Sequence, residues 1–143
     1  RGLTELAFQL LTYPMIDDRT CTGEPHPYAG EYIWTPHNNL FGWAALLGHE
    51  PGSEGVSAYA AASRAEDLSG LPPTYISSGA LDLFIDENLE YARRLMRAGV
   101  PTELHVYPGA FHAFDILPFA SVSQQAIADR KAALQRFLSG AAG

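Results

Sequence analysis

The chain has 143 residues, a formal net charge of −7 and 47% hydrophobic residues, which is enough apolar material for the core of one ordinary domain. The acidic balance argues against nucleic acid as a partner, because neutralising phosphates requires clustered Lys and Arg, and the nine basic residues are scattered. No apolar run reaches the roughly 18 residues that a membrane-spanning helix requires.

The single cysteine, Cys21, has no partner for an internal disulfide. A reducing compartment, the cytoplasm, is therefore the expected location. The first residues, RGLTELAFQLLTYP, contain neither an initiator Met nor a signal-peptide pattern, so we expect the sequence to be a piece of a longer chain.

The first predicted element is a strand over residues 5–14. Its sequence, ELAFQLLTYP, is an almost continuous apolar run ending at Pro14, which is typical of a strand buried on both faces of a parallel sheet. A loop-rich stretch over 17–35 follows. The next segment predicts a helix, with Thr35 as N-cap, Pro36 at the first helical position and Gly48 at the C-terminal stop.

The second half of the sequence predicts strands and helices in alternation. Pro72 and Pro73 lead into the β-branched and aromatic run TYISSG, which favours a strand. A helix is expected next, capped by Asp86, extending to about residue 98 and ended by Gly99. TELHVYPG predicts a strand over 102–109, and a last helix over about 122–138 has Ile127, Leu134 and Phe137 or Leu138 on its apolar side.

This order of elements indicates parallel strands joined by crossover helices, an α/β fold. Three strands with one open side make an incomplete domain, and the strand at 5–14 is too apolar to be a solvent-exposed edge. We therefore expect the missing N-terminal half, or another chain, to cover the strand at 5–14.

Two residues follow successive predicted strands. Asp82 comes after TYISSG and His112 after TELHVYPG, so parallel pairing of these strands would place their loops side by side. An aspartate that accepts the imidazole N–H fixes the histidine tautomer and stabilises the imidazolium. The residues alone leave other roles open, because His112 could be a packed histidine between aromatics and Asp82 a turn or helix-cap residue.

Residues 68–115 resemble the C-terminal part of an α/β-hydrolase of the hormone-sensitive-lipase type, a family of carboxylesterases. The stretch is LSGLPPTYISSGALDLFIDENLEYARRLMRAGVPTELHVYPGAFHAFD. Upstream, LLTYPMID is similar to that family's strand before its lid insertion, and NNLFGWAALLG to a helix of the insertion. The resemblance implies a C-terminal portion of one α/β-hydrolase domain over 1–143, with three parallel strands, crossover helices and a lid-like insertion at about 17–66.

The resemblance also implies a function. Asp82 would be the acid of a Ser-His-Asp triad and His112 the general base, in a parent protein that hydrolyses small, apolar carboxylic esters without cofactor or metal. The family's nucleophile lies in a G-x-S-x-G pentapeptide, and no such pentapeptide occurs in 1–143. The serine is thus expected outside this chain, and the chain alone is expected to be inactive.

The residues around Asp82 and His112 include one departure from the family pattern and several candidates for the substrate pocket. Ala113 stands where the family usually has Gly after its catalytic histidine. Trp34 and Phe84 are candidates for lining the substrate pocket; Phe41 and Trp43 are further candidates, or ordinary core. The strand at 102–109 would form a sheet edge, through which the resemblance implies a homodimer.

Two alternatives stay open. The first is lactonase, amidase or peptidase chemistry on the same fold, and the second is a non-catalytic fragment that acts only by association. The remaining histidines are spaced too irregularly to predict a metal site: His26, His37, His49 and His105.

Overall fold

The computed structural model describes residues 6–140, and its centre is a sheet of three parallel strands in the order β1-β2-β3. The strands are β1 (Gln9–Thr12), β2 (Thr74–Gly79) and β3 (Thr102–Tyr107). Thr74 of β2 is in register with Gln9 of β1 and with Thr102 of β3. The predicted α/β architecture is confirmed.

Three helices accompany the sheet: α1 (Pro36–Leu47), α2 (Ile85–Arg97) and α3 (Ser121–Leu138). Helix α2 is the crossover between β2 and β3, and α3 follows β3. Helix α1 lies within the long connection from β1 to β2, between 3-10 turns at Asp18–Cys21 and Ala62–Arg64. A third 3-10 turn, Phe114–Ile116, follows β3.

The predicted ends of α1 are confirmed. The Thr35 hydroxyl accepts a hydrogen bond from the Asn38 N–H, and Pro36 is the first helical residue. Gly48 ends the helix in the left-handed region at a φ of 73°, a conformation that costs glycine little.

Both outer strands are shorter than predicted. β1 covers four residues of the expected 5–14, of which residue 5 lies outside the described residues. It ends where Tyr13 takes a φ of 37°, directly before Pro14. β3 ends at Tyr107 rather than 109, because Gly109 turns the chain with a φ of 72°.

Asp86 is not the cap of α2. The helix begins one residue earlier, at Ile85, whose N–H donates to the Asp82 carbonyl, while the Phe84 N–H donates to the Asp82 carboxylate. Asp82 therefore organises the start of this helix, and the exposed Asp86 lies in its first turn.

The predicted apolar side of α3 is confirmed for Phe137, which is half-buried and stacks on Phe8 with ring centroids 3.7 Å apart, and is wrong for Ile127 and Leu134. Ile127 and Leu134 are 39% and 40% exposed, and the buried residues are Ser123, Ala126 and Ala133. The Ser123 hydroxyl donates to the Phe114 carbonyl at 2.9 Å, so small residues on this face allow α3 to approach the loop after β3.

The main core lies between α2 and the sheet. β2 is buried along its whole length, as expected for the central strand of a parallel sheet covered on both faces. The buried residues of this cluster are Ile16, Leu68, Ile76, Tyr91, Ala92, Leu95 and Val100.

A buried glutamate joins α2 to the segment after β1. Glu87 is 7% exposed; one carboxylate oxygen accepts the N–H groups of Ile16, at 2.7 Å, and Asp17, at 3.2 Å. The other accepts the Thr20 hydroxyl. Burial raises the pKa of Glu87 to about 7, although these hydrogen bonds oppose the shift.

We expect Glu87 to make the chain less stable as the pH rises from about 4.5 to about 7. Across that window the folded state holds a proton on Glu87 that the unfolded state has released, so the free energy of unfolding falls by about 3 kcal/mol. Glu87→Gln should remove this loss, since an amide of the same shape can bond Thr20 without a charge. Urea unfolding across that pH range measures it.

The matched control is Glu90→Gln, an exposed position on the same helix. Its pKa is lowered by the hydrogen bond from Arg93, so the variant should not reproduce the effect of Glu87→Gln. The assignment is wrong if Glu87→Gln keeps the pH dependence of the wild type.

An ion pair between Asp18 and Arg64 joins the two ends of the long β1–β2 connection that contains α1. The fully buried Asp18 carboxylate accepts two bonds of 2.8 Å from Arg64 and one of 2.6 Å from the Gly52 N–H. Burial by itself would raise the pKa of Asp18, but these donors outweigh it and the pKa is lowered.

Candidate active site

Asp82 lies in the turn that follows β2. Its N–H donates to the Gly79 carbonyl at 3.1 Å, and its side chain is fully buried. One carboxylate oxygen accepts the Phe84 N–H at 3.0 Å, and the other lies 3.0 Å from Nδ1 of His112. The carboxylate is thus held by the backbone and aimed at a single imidazole.

His112 lies in the loop after β3, with its side chain 15% exposed. A carboxylate oxygen accepts hydrogen bonds, so the tautomer that suits this contact has its proton on Nδ1 of His112. Nε2 then has a free lone pair and is able to accept a proton from a reacting group. The geometry brings together the two residues that the sequence predicted would meet.

Three aromatic rings surround the imidazole. The ring centroid of Tyr13 lies 4.8 Å from that of His112, the ring of Phe84 lies at 5.4 Å, and the ring of Trp34 at 5.8 Å. The rings come from the end of β1, the start of α2 and the segment before α1. Contacts with three separate segments restrict the orientation of His112.

A close approach of backbones places the two loops together. The N–H groups of Ala80 and Leu81 donate to the carbonyls of Tyr107 and Ala110, both at 2.9 Å. A Cβ at Gly79 would lie 2.3 Å from the Ala110 carbonyl oxygen, a contact that only glycine avoids.

Backbone strain collects around His112. The non-glycine residues with positive φ among residues 6–140 are Tyr13 (37°), Ile33 (63°) and Ala113 (58°). Tyr13 contacts the imidazole, Ile33 precedes Trp34, and Ala113 follows His112 directly. Ala113 stands where the family that the sequence resembles usually has Gly, and its positive φ costs about 1–2 kcal/mol beside the histidine.

The predicted pocket residues separate into two groups. Trp34 and Phe84 both lie beside His112, and the Trp34 indole N–H donates to the Asn39 side-chain oxygen at 3.4 Å. Trp43 is fully buried and packs with Val56 and Ala61, which makes it core, whereas Phe41 is 74% exposed.

Tyr13 was not predicted from the sequence to be a neighbour of His112. A signal existed, because Tyr13 follows β1 at the same end of the sheet where Asp82 and His112 follow β2 and β3.

A cavity of about 300 Å³ lies between the start of α2 and the segment after β1. Neither Asp82 nor His112 lines it.

Within residues 6–140, no group of three or more His, Cys, Asp or Glu side chains is arranged to hold a metal ion. No helix in the described part of the chain is long and apolar enough to cross a membrane.

Comparisons with known proteins bear on the fold and the family of this chain. A family model described as alpha/beta hydrolase fold matches residues 1–116. Esterase LipI of Mycobacterium tuberculosis (strain ATCC 25618 / H37Rv) is 31% identical over 116 residues, which are 79% of this chain and 35% of LipI.

Two solved structures are similar over nearly the whole chain. The bacterial heroin esterase is 39% identical, with a TM-score of 0.85 over 96% of this chain and 44% of its own. Esterase LipW from Mycobacterium marinum is 36% identical, with a TM-score of 0.77 over 93% of this chain and 41% of its own. The chain therefore spans less than half the length of each relative.

Proposed function

This chain belongs to the α/β-hydrolase-fold family, and from that membership we propose that it supplies the acid and the general base of a carboxylic ester hydrolase. The observation that carries the proposal is the 3.0 Å contact between the buried Asp82 carboxylate and Nδ1 of His112. The three relatives described above, all named esterases, support the same reaction class.

The proposed mechanism assigns each proton to a named atom. Asp82 keeps the proton on Nδ1, so Nε2 of His112 takes the proton of a serine hydroxyl as the serine attacks the ester carbonyl. The resulting imidazolium returns that proton to the leaving alcohol. In the second half, Nε2 takes a proton from water as the water attacks the acyl-enzyme. The imidazolium then gives that proton to the serine oxygen as the bond to the acyl group breaks and the acid leaves.

The serine is proposed to come from outside this chain, because residues 1–143 contain no G-x-S-x-G pentapeptide. We propose that the missing N-terminal half, or another chain, carries it and covers β1 on the side opposite β2, the strand with which β1 pairs within the described residues. The 143 residues alone are then inactive.

The substrate is proposed to be a small, apolar carboxylic ester. Trp34 and Phe84 would line its pocket, because both present aromatic rings next to His112. The segment at about 17–66, which includes α1, would act as a lid over that pocket.

Two further proposals concern the oligomeric state, which rests on the resemblance, and the location, which rests on the cysteine count. Homodimerisation through the edge of β3 at 102–109 is proposed, with Val106 on that strand 39% exposed. A reducing, cytoplasmic location is proposed from the single cysteine, Cys21.

The test is hydrolysis of a short-chain p-nitrophenyl ester. The full-length parent protein should release the chromophore, and the 143-residue chain should not. The proposal fails if a parent protein that contains the serine of the G-x-S-x-G pentapeptide releases no chromophore. It also fails if the chain alone hydrolyses the ester and the substitution of His112 abolishes that activity. Faster cleavage of a lactone, an amide or a peptide would assign the alternative acyl chemistry.

A further inference from the structure

Tyr13 is held in an unusual conformation at the end of β1. Its φ of 37° is in the left-handed region, which is costly for a non-glycine residue, and its N–H donates to the Ser77 carbonyl at 2.6 Å. This backbone bond ties Tyr13 to the central strand. The strained conformation accompanies the edge contact of its ring with His112, at 4.8 Å between centroids.

The Tyr13 hydroxyl reaches the loop that carries His112. It donates to Oδ1 of Asp115 at 2.9 Å, and Oδ2 of Asp115 accepts from Nη1 of Arg130 at 3.0 Å. The same Arg130 nitrogen lies 3.5 Å from the Thr12 hydroxyl. The end of β1, the loop after β3 and helix α3 are therefore joined by one chain of polar contacts.

The Tyr13 phenol stays a donor across the working pH range of proteins. Burial, together with the hydrogen bond to Asp115, raises the pKa of Tyr13 to about 12. The Asp115 side chain is 11% exposed and pairs with Arg130 at 3.0 Å, so the acceptor of the Tyr13 hydroxyl is itself held in place.

We propose that Tyr13 is a positioning residue for His112, held in place by Asp115 and Arg130. Asp82 fixes Nδ1 from one direction, and the Tyr13 ring limits rotation of the imidazole from another. The hydroxyl bond to Asp115, three residues after His112, locks the loop against β1. The inference rests on the proposed function only in taking His112 as the general base.

The test is imidazole NMR spectroscopy of the full-length protein labelled with 15N-histidine. The wild type should show His112 as a single Nδ1–H tautomer with a downfield proton bonded to Asp82. Tyr13→Phe keeps the ring but removes the bond to Asp115, so exchange of that proton with water should become about tenfold faster, as expected for the loss of a charge-assisted hydrogen bond. A second tautomer should also become visible.

Tyr107→Phe is the matched control. The Tyr107 hydroxyl also donates to an aspartate, Asp129, at 3.0 Å, but its ring is not among those that contact His112. Asp115→Asn is the second variant; it leaves the Tyr13 ring in place, weakens the link to Arg130 and should shift the His112 signals in the same direction as Tyr13→Phe.

An unchanged exchange rate and tautomer in both Tyr13→Phe and Asp115→Asn overturns the proposal. An equal change in Tyr107→Phe also overturns it, because that result indicates general loosening of the fold. The measurement requires neither the serine nor a substrate, so its failure is distinguishable from failure of the ester assay.

Discussion

Asp82→Asn is expected to lower kcat for ester hydrolysis by the full-length protein about 10³- to 10⁴-fold, the scale set by the corresponding change in serine-protease triads. The Asn amide nitrogen can donate to Nδ1 of His112, which favours the tautomer with its proton on Nε2. That tautomer has no lone pair facing the serine. KM should change little, because Asp82 is fully buried behind His112 and does not contact substrate.

The measurement is steady-state hydrolysis of a short p-nitrophenyl ester, with Asp86→Asn as control. Asp86 is exposed in the first turn of α2, so the Asp86→Asn variant should retain nearly wild-type kcat. His112→Gln should lose about as much activity as Asp82→Asn or more, and the double variant little beyond His112→Gln, since the two groups act as one unit. Activity of Asp82→Asn within about tenfold of wild type would exclude the triad role.

Gly79→Ala should destabilise the chain by about 4 kcal/mol, more than an ordinary overpacked core position. The new Cβ would lie 2.3 Å from the Ala110 carbonyl oxygen and 2.6 Å from its carbonyl carbon. Because both atoms are backbone, a side-chain rotation cannot relieve the clash. The loops must separate, which strains the bonds from Ala80 and Leu81 to the β3 side.

Urea unfolding measures this loss, with Gly23→Ala as the matched control. A Cβ at Gly23 has its nearest neighbour, the Arg19 carbonyl oxygen, at an ordinary 3.5 Å. Gly23→Ala should therefore stay within about 0.5 kcal/mol of the wild type. A loss at Gly79→Ala no larger than at Gly23→Ala would show that the close approach is not required.

The same close approach connects stability with chemistry. Gly79 ends β2, and the turn to Asp82 begins there; Ala110 lies two residues before His112. A variant that separates these backbones also lengthens the distance between the Asp82 carboxylate and Nδ1 of His112. The glycine is thus expected to maintain the contact between Asp82 and His112.

Local sequence signals were enough for the bounds of α1 and β2. Thr35, Pro36 and Gly48 predicted the ends of α1, since caps depend on a few adjacent residues. TYISSG predicted β2 residue for residue, because a β-branched, aromatic run bounded by prolines and a glycine has few alternatives. Helix faces were predicted less well, as α3 buries Ser123 and Ala126 where bulky residues were expected.

The sequence by itself determined that Asp82 and His112 would meet. Each follows a strand of a parallel sheet, and the carboxyl ends of neighbouring parallel strands share one edge. Only the tertiary structure decided what surrounds them. The Tyr13 hydroxyl bonds Asp115, 102 positions away in the sequence, and the Glu87 carboxylate accepts the N–H of Ile16, 71 positions away. The hydrophobic pattern of neighbouring residues cannot predict contacts between such distant positions. Such contacts depend on strand register and side-chain direction, which are fixed only when distant segments pack together.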